Sequence, residues 1–174
     1  FKEWITRADV QELMEFSIFF DFRCVVGSEA LASSLRERVK NLLAPAGWFY
    51  PQAAQNALQF RPPLRIFGTI IGASPGQDHG KVDLKSAHGA LISYARLLAL
   101  HTGIGETGTV DRLDELMRRG VLLESQHNDC IVANNSLLRL RIRHQCHCIR
   151  QALEPDNVVD PSWLGHIEEA IVRE

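Results

Sequence analysis

Several ionisable side chains stand where an ordinary surface helix would carry none. Asp21 and Arg23 interrupt the apolar run Ser17-Ile18-Phe19-Phe20-Asp21-Phe22-Arg23-Cys24-Val25-Val26. Asp83 and Lys85 bracket Leu84, and Arg96 sits inside Ala90-Leu91-Ile92-Ser93-Tyr94-Ala95-Arg96-Leu97-Leu98-Ala99-Leu100. An ionised group withdrawn from water costs on the order of several kcal/mol unless it is paired. Each of these residues therefore demands a partner or a ligand, and the chemistry open to them is electrostatic. Arg96, with apolar helical neighbours Ile92, Ala99 and Leu100, must reach a carboxylate, backbone carbonyls or a bound anion. An ion pair with Asp21 or Asp83 meets that demand as well as a ligand contact does. Arg139, Arg141, Arg143 and His144 form the densest cationic stretch, a pattern that in most chains marks a solvated helix face with salt bridges to neighbouring Glu or Asp.

Other chemistries lack their residues. Gly76-Gln77-Asp78-His79-Gly80-Lys81 has only three residues between its glycines, and Val82 follows the lysine, so it is not a phosphate loop. His144 and Cys148 are one helical turn apart with His147 nearby, but Cys146 points largely elsewhere. A structural zinc needs four converging ligands, which one straight helix does not supply, so no metal site is expected. There is no Gly-x-Ser-x-Gly elbow, and the carboxylates are scattered singly, so no catalytic residue is assigned.

At 174 residues the chain suits one domain (1–174), and a domain of this size buries about 70% of its unfolded surface. Its 19 basic and 21 acidic side chains leave a formal charge of −2, no footprint for nucleic acid or an anionic membrane surface. Cys24, Cys130, Cys146 and Cys148 read as reduced thiols of a cytoplasmic protein, since a chain this rich in core residues needs no disulfide frame. No apolar stretch reaches the ~18 residues of a membrane span. The start at Phe1-Lys2-Glu3-Trp4-Ile5 is neither a signal peptide nor an initiator methionine, which suggests a fragment with sequence upstream.

The elements that must position the charges are helices. Leu13, Phe16, Phe20 and Cys24 predict a helix from about Ala8 to Gly27, although Phe20, Phe22, Cys24 and Val26 also alternate as a strand would. Ser28 opens the next helix, with a stripe of Leu31, Leu35, Val39 and Leu42 or Leu43 that stops at Pro45 and Gly47. Two short helices follow, one over about 51–60 and one after Pro62-Pro63. Gly72 to Gly80 is a loop, with a brief hairpin allowed up to Val82, and 89–101 is the central, mostly buried helix. Thr109 caps a helix to Arg119 with Leu113, Leu116 and Met117 inward and Gly120 just beyond. The last long helix spans about 125–153 with Leu138, Ile142, Cys146, Ile149 and Leu153 as its seam. A final helix runs from Asp156 or Asp160 to about Arg173. The expected fold is all-α, an irregular antiparallel bundle of about six or seven helices.

Phe19-Phe20-Asp21-Phe22-Arg23, Arg61-Pro62-Pro63-Leu64, Gly80-Lys81-Val82-Asp83-Leu84-Lys85 and Ala95-Arg96-Leu97-Leu98-Ala99-Leu100 occur in order along the chain. They are followed by Gly103-Ile104-Gly105-Glu106-Thr107-Gly108-Thr109 with Arg112-Leu113, by Leu138-Arg139-Leu140-Arg141-Ile142-Arg143-His144-Gln145, and by Pro155-Asp156-Asn157 and Asp160-Pro161. Taken together this set resembles the nucleotidyltransferase substrate-binding domain, the helical C-terminal part of bacterial proteins related to the PII uridylyltransferase. The sequence departs from the family at Ser86-Ala87-His88-Gly89, where the turn is short, and at Ala133-Asn134-Asn135-Ser136, where aromatic residues are usual.

The resemblance implies a nucleotidyltransferase domain upstream, often behind cyclic-nucleotide-binding and CBS domains. That domain would supply the Mg²⁺ ligands and bind the nucleoside triphosphate; this chain would hold no cofactor. Lys85, Arg96, Arg139, Arg143 and His144 would bind phosphates or an acidic acceptor, a nucleotide or a protein, while Asp21, Arg23 and Asp83 serve in structural ion pairs. Neither nucleic acid nor membrane is an expected partner, and a homo-oligomer is compatible with the pattern. The alternative is an interaction module that transmits a signal or dimerises, its charges acting only as internal struts.

Overall fold

A computed structural model of the chain describes residues 21–43, 47–57, 65–66, 69–70 and 81–160. The described residues are mostly helical: α1 (Glu29–Leu43), α2 (Phe49–Ala57), α3 (Leu84–His101), α4 (Thr109–Arg118) and α5 (Glu124–Arg150). Four two-residue strands, β1 (Arg65–Ile66), β2 (Thr69–Ile70), β3 (Val82–Asp83) and β4 (Val158–Val159), form two antiparallel pairs. Arg65 lies opposite Ile70 and Ile66 opposite Thr69; Val82 lies opposite Val159 and Asp83 opposite Val158. The chain divides into two compact units, one of Phe1–Gln59 with Ile92–Ile131 and one of Phe60–Leu91 with Val132–Glu174. Helices α3 and α5 each contribute residues to both.

In the first unit, α1 begins where the Leu31 N–H reaches the Ser28 carbonyl (3.2 Å), with Glu29 in its first turn and Lys40 in its last, each matching the helix dipole. Val39 and Leu43, four residues apart, bury one stripe against Phe49, Leu42, Tyr50, Ala53 and Leu100. A second core joins Ala95, Ala99, Ile104, Leu113, Leu116 and Leu122, where the two alanines leave room for close approach. α3 and α4 end alike. Ile104 N–H bonds the Ala99 carbonyl and Gly103 N–H that of Leu100, while Val121 N–H bonds Leu116 and Gly120 N–H bonds Met117. Gly103 and Gly120 take the left-handed backbone (φ +68° and +70°) that this helix end requires.

In the second unit, Asp83 starts α3 by accepting the N–H groups of Lys85 (2.9 Å) and Ser86 (3.2 Å) on Oδ1, the usual N-cap geometry. Val82, Leu84 and Val159 form the core here with Leu137 and Leu140 of α5. α5 ends in the same hydrogen-bond pattern as the other two helices, but its left-handed residue is Ala152 (φ +54°).

Four readings of the sequence change. The helix drawn to Gly27 does not include residues 21–28, which are neither helix nor strand; residues 1–20 lie outside the described residues. The helix placed after Pro62-Pro63 is replaced by strands β1 and β2, in keeping with the β-branched Ile66, Thr69 and Ile70. Val82 pairs with Val159 rather than in a local hairpin, and residues 71–80 are outside the described set. The expected apolar seam of α5 faces outward, with Ile142, Ile149 and Leu153 each about 60% exposed, because a polar face holds the inward position. The final helix to Arg173 falls on residues 161–174, also outside the description.

Candidate functional site

Two polar clusters stand out, one in each unit. In the first, α3 and α4 aim Arg96 and Arg112 at a single carboxylate. Arg96 Nε and Nη2 both donate to Asp21 Oδ2 (2.8 and 2.7 Å), and Arg112 Nη2 donates to Asp21 Oδ1. Arg112 also gives its Nε–H to the Glu106 carbonyl (2.8 Å), which ties the Gly103–Gly108 loop to the start of α4. The Arg112 side chain is 4% exposed and those of Arg96 and Asp21 under a fifth, so these charges are largely removed from water and depend on one another. Arg36 of α1 holds the adjacent residue: its Nη2 donates to the Phe22 carbonyl (3.0 Å) and its guanidinium lies 5.4 Å from the Phe22 ring centre. Three arginines thus clamp Asp21-Phe22.

Beside the clamp is an open groove whose apolar lining includes Val39, Leu43, Ala99 and Ile104. Lys40 overhangs Gly103, where an added Cβ would come within 2.9 Å of the lysine Cε. Glycine there serves both the left-handed turn and this approach. Lys40, Arg36 and Arg112 line the groove together with Glu37 and Glu106, so both signs of charge are present.

The second cluster lies along the inward face of α5. Asn134, Arg141, His144, Gln145 and Cys148 recur at helical spacing, and each meets a residue distant in sequence or along the helix. His88 Nε2 donates to Asn134 Oδ1 (3.0 Å), a fully buried pair. Arg141 Nε and Gln145 Nε2 both donate to Asn157 Oδ1 (2.6 and 3.2 Å), while the Asn157 carbonyl accepts the Leu84 N–H at the head of α3 (2.9 Å). His144 Nε2 donates to Asp156 Oδ1 (2.5 Å), and Cys148 Sγ is 3.6 Å from the same nitrogen. The His144 bond, then the Val158 N–H, hold the Asp156 carboxyl below its usual range, with Lys81 adding to the effect. Pro155-Asp156-Asn157 is therefore a staple that fastens the returning chain to two helices.

The sequence-predicted residues separate accordingly. Asp21 and Arg96 belong to the first cluster; Asp83, Lys85, Arg139, Arg143 and His144 belong to the second unit. Asp83 spends its carboxylate on the N-cap in place of an ion pair, because the head of α3 presents unbonded N–H groups directly above it. Arg23, expected in a structural pair, is exposed and has no ion-pair partner among the described residues, since the chain around it is not helical and lets it reach water. Lys85 is exposed at the first turn of α3. Arg139 and Arg143 lie on the exposed side of α5, whereas His144 turns to Asp156. Arg143 has no ion-pair partner among the described residues.

Arg112 and Asn157 are the main residues missed in the sequence. Arg112 had a signal, since it lies four residues before Leu116 and next to Leu113, on the apolar face of α4. Asn157 falls in the Pro155-Asp156-Asn157 segment that carries the family resemblance, but no local pattern assigns it a role. All four cysteines are unbridged, and among the described residues no helix is long and apolar enough to cross a membrane.

What these clusters offer is positioned charge and hydrogen bonding, the means of recognition. No curated protein and no solved structure matches the chain. One family model does match, over residues 48–174, from the start of α2 through both sheets, α3, α4 and α5. It takes in Arg96, Arg112 and the whole second cluster and leaves out Asp21. With most of its length so matched, the chain belongs to the family described as putative nucleotidyltransferase substrate binding domain.

Proposed function

We propose that this chain is the accessory, substrate-holding part of a nucleotidyltransferase related to the PII uridylyltransferase. In this reading Mg²⁺ and the nucleoside triphosphate are bound by a catalytic domain upstream, and the chain contributes cations beside that active site. The family match is the observation that carries the reading. The exposed basic side of α5, with Arg139 and Arg143 one turn apart, supports it, because such a pair suits phosphate or carboxylate oxygens. Lys85 adds a third exposed cation. Arg96 leaves the substrate set, since two of its nitrogens serve Asp21. His144 contributes through the Asp156 staple rather than by direct contact. The acceptor would be a nucleotide or an acidic protein surface, and the setting cytoplasmic.

The test is charge reversal in the intact protein. Arg139→Glu with Arg143→Glu should lower transfer activity at least tenfold while the circular dichroism spectrum and melting temperature stay near those of the parent. Unchanged activity would remove the reading.

A second reading is favoured by one observation. Ile142 and Ile149 of α5, with Leu153 just beyond its end, are exposed apolar side chains of the kind that interaction surfaces use. A signal-transmitting or dimerising module would bury them, and charged substitutions at Ile142 and Ile149 would then abolish association while leaving transfer activity intact.

A further inference from the structure

The geometry points to a binding site for a thiophilic divalent metal ion, zinc above all, formed by His144, Cys148 and Asp156. The inference does not depend on the substrate-holding role. His144 and Cys148 stand four residues apart on one face of α5, and Asp156 returns to them from the turn that follows the helix. Their ligand atoms all lie within 4.8 Å of one another. Reading α5 alone gives two ligands; the turn at Ala152 brings the third.

Distances decide how well the group fits. Tetrahedral zinc with Zn–N near 2.0–2.1 Å and Zn–S near 2.3 Å sets the nitrogen and sulfur about 3.6 Å apart. His144 Nε2 and Cys148 Sγ already stand 3.6 Å apart. The same geometry sets nitrogen and carboxylate oxygen about 3.3 Å apart, whereas His144 Nε2 and Asp156 Oδ1 are hydrogen-bonded at 2.5 Å. A metal would replace that hydrogen and push the oxygen back by about 0.8 Å on this geometry. Asp156, whose side chain is 61% exposed, can yield by that much, while Cys148 is buried and fixed.

The charges also match. A thiolate, a carboxylate and a neutral imidazole sum to −2 and balance a divalent cation. Binding releases the Cys148 thiol proton and moves the Nε2 proton of His144 to Nδ1 or to solvent, so affinity rises with pH. A set with one sulfur, one nitrogen and one carboxylate favours zinc over magnesium or calcium, which take oxygen ligands. The open side of Asp156 gives an entry path and leaves a fourth position for water. Behind the ligands, the Val158 N–H holds the Asp156 carboxylate (3.1 Å), and Asn157 is fixed by Arg141 and Gln145. Such outer contacts orient a metal ligand. Lys81 opposes the cation through its effect on Asp156, and the buried thiolate must outweigh it.

Titration of the protein with zinc, followed by calorimetry, should give one equivalent bound per chain and a higher melting temperature. Titration with cobalt(II) should give a thiolate-to-metal charge-transfer band and the intense visible bands of a tetrahedral site. Removing a ligand costs at least as much as removing an outer-shell partner, about 10–100-fold in affinity, so Cys148→Ser and Asp156→Asn should each weaken binding by that factor. Cys146→Ser, two residues from each ligand and on the exposed side of the helix, should leave it unchanged. Absence of a stoichiometric zinc site overturns the proposal, as does a cobalt spectrum without the thiolate band, undiminished binding in Cys148→Ser, or loss of binding in Cys146→Ser. The cobalt spectrum of the unsubstituted protein decides the matter even if a variant fails to fold.

Discussion

The two units solve the burial of polar groups in different ways. The first converges two guanidinium groups on one carboxylate, Asp21, contributed from far along the chain. The second lines the inward face of α5 with amides, an imidazole and one guanidinium, and satisfies Asn134 from His88 and the rest from a three-residue turn just beyond the helix. A cluster of low exposure that hangs on one carboxylate fails together when that carboxylate is lost, since both guanidinium groups are then stranded. A set of hydrogen bonds to a nearby turn degrades by parts. The first arrangement makes an anchor that depends on one carboxylate, and the second a fastening that can lose one bond at a time.

The contrast breaks most easily at Asp21. Asp21→Ala strands Arg96 and Arg112 together and should destabilise the fold by about 3–5 kcal/mol, measured by denaturant unfolding. Arg96→Ala should cost less, because Arg112 still neutralises the carboxylate. Asn157→Ala removes the shared acceptor of Arg141 and Gln145 and should cost about 1.5–3 kcal/mol, the range for a hydrogen bond to a charged group. If Asn157→Ala proved as damaging as Asp21→Ala, the distinction between the units would fail.

Acid sharpens the comparison. Glu115, on α4, accepts from Arg118 and Arg119 and is held down to about 2 by those hydrogen bonds. Its folded value lies below the ordinary 4.5, so its contribution is complete above that pH and is lost as pH falls toward about 2. The stability gap between the parent and Glu115→Gln should be constant above about pH 5 and close across that window. A gap that widens in acid would reverse the sign of the argument.

The smallest effect is at the end of α5. Gly103 and Gly120 close the other two helices with the same hydrogen bonds, whereas Ala152 carries a Cβ into the left-handed region. Ala152→Gly should stabilise the protein by about 0.5–1 kcal/mol, the relief of that strain less the entropy glycine adds to the unfolded chain. A lower melting temperature would mean that the Cβ makes a compensating contact.

Legibility followed the range of the interactions. Helix starts and stops depend on neighbours within a few residues, so Ser28 and Gly120 were readable as punctuation, and α1, α4 and α5 fall close to where pattern places them; α3 was placed from 89 but begins at Leu84, so the residues read as a turn at 86–89 lie inside it. The facing of α5 was not readable. Its apolar stripe argued for burial of Leu138, Ile142 and Ile149, but Asn157, Asp156 and His88 draw the opposite face inward from 12 to 46 residues away. The demand for a partner at Arg96 was legible from its apolar surroundings; which carboxylate would answer it, and that Arg112 would share it, was not.

The central claim is that the exposed cations of α5 receive an anionic substrate. It is tested most directly by following backbone amide resonances while the protein is titrated with a nucleoside monophosphate, as a stand-in for the acceptor, in the absence of divalent metal. Shifts concentrated at Arg139 and Arg143, saturating with nucleotide and weakening as salt rises, are the result predicted. Shifts confined to the groove beside Lys40 and Gly103, or none at all, would contradict it.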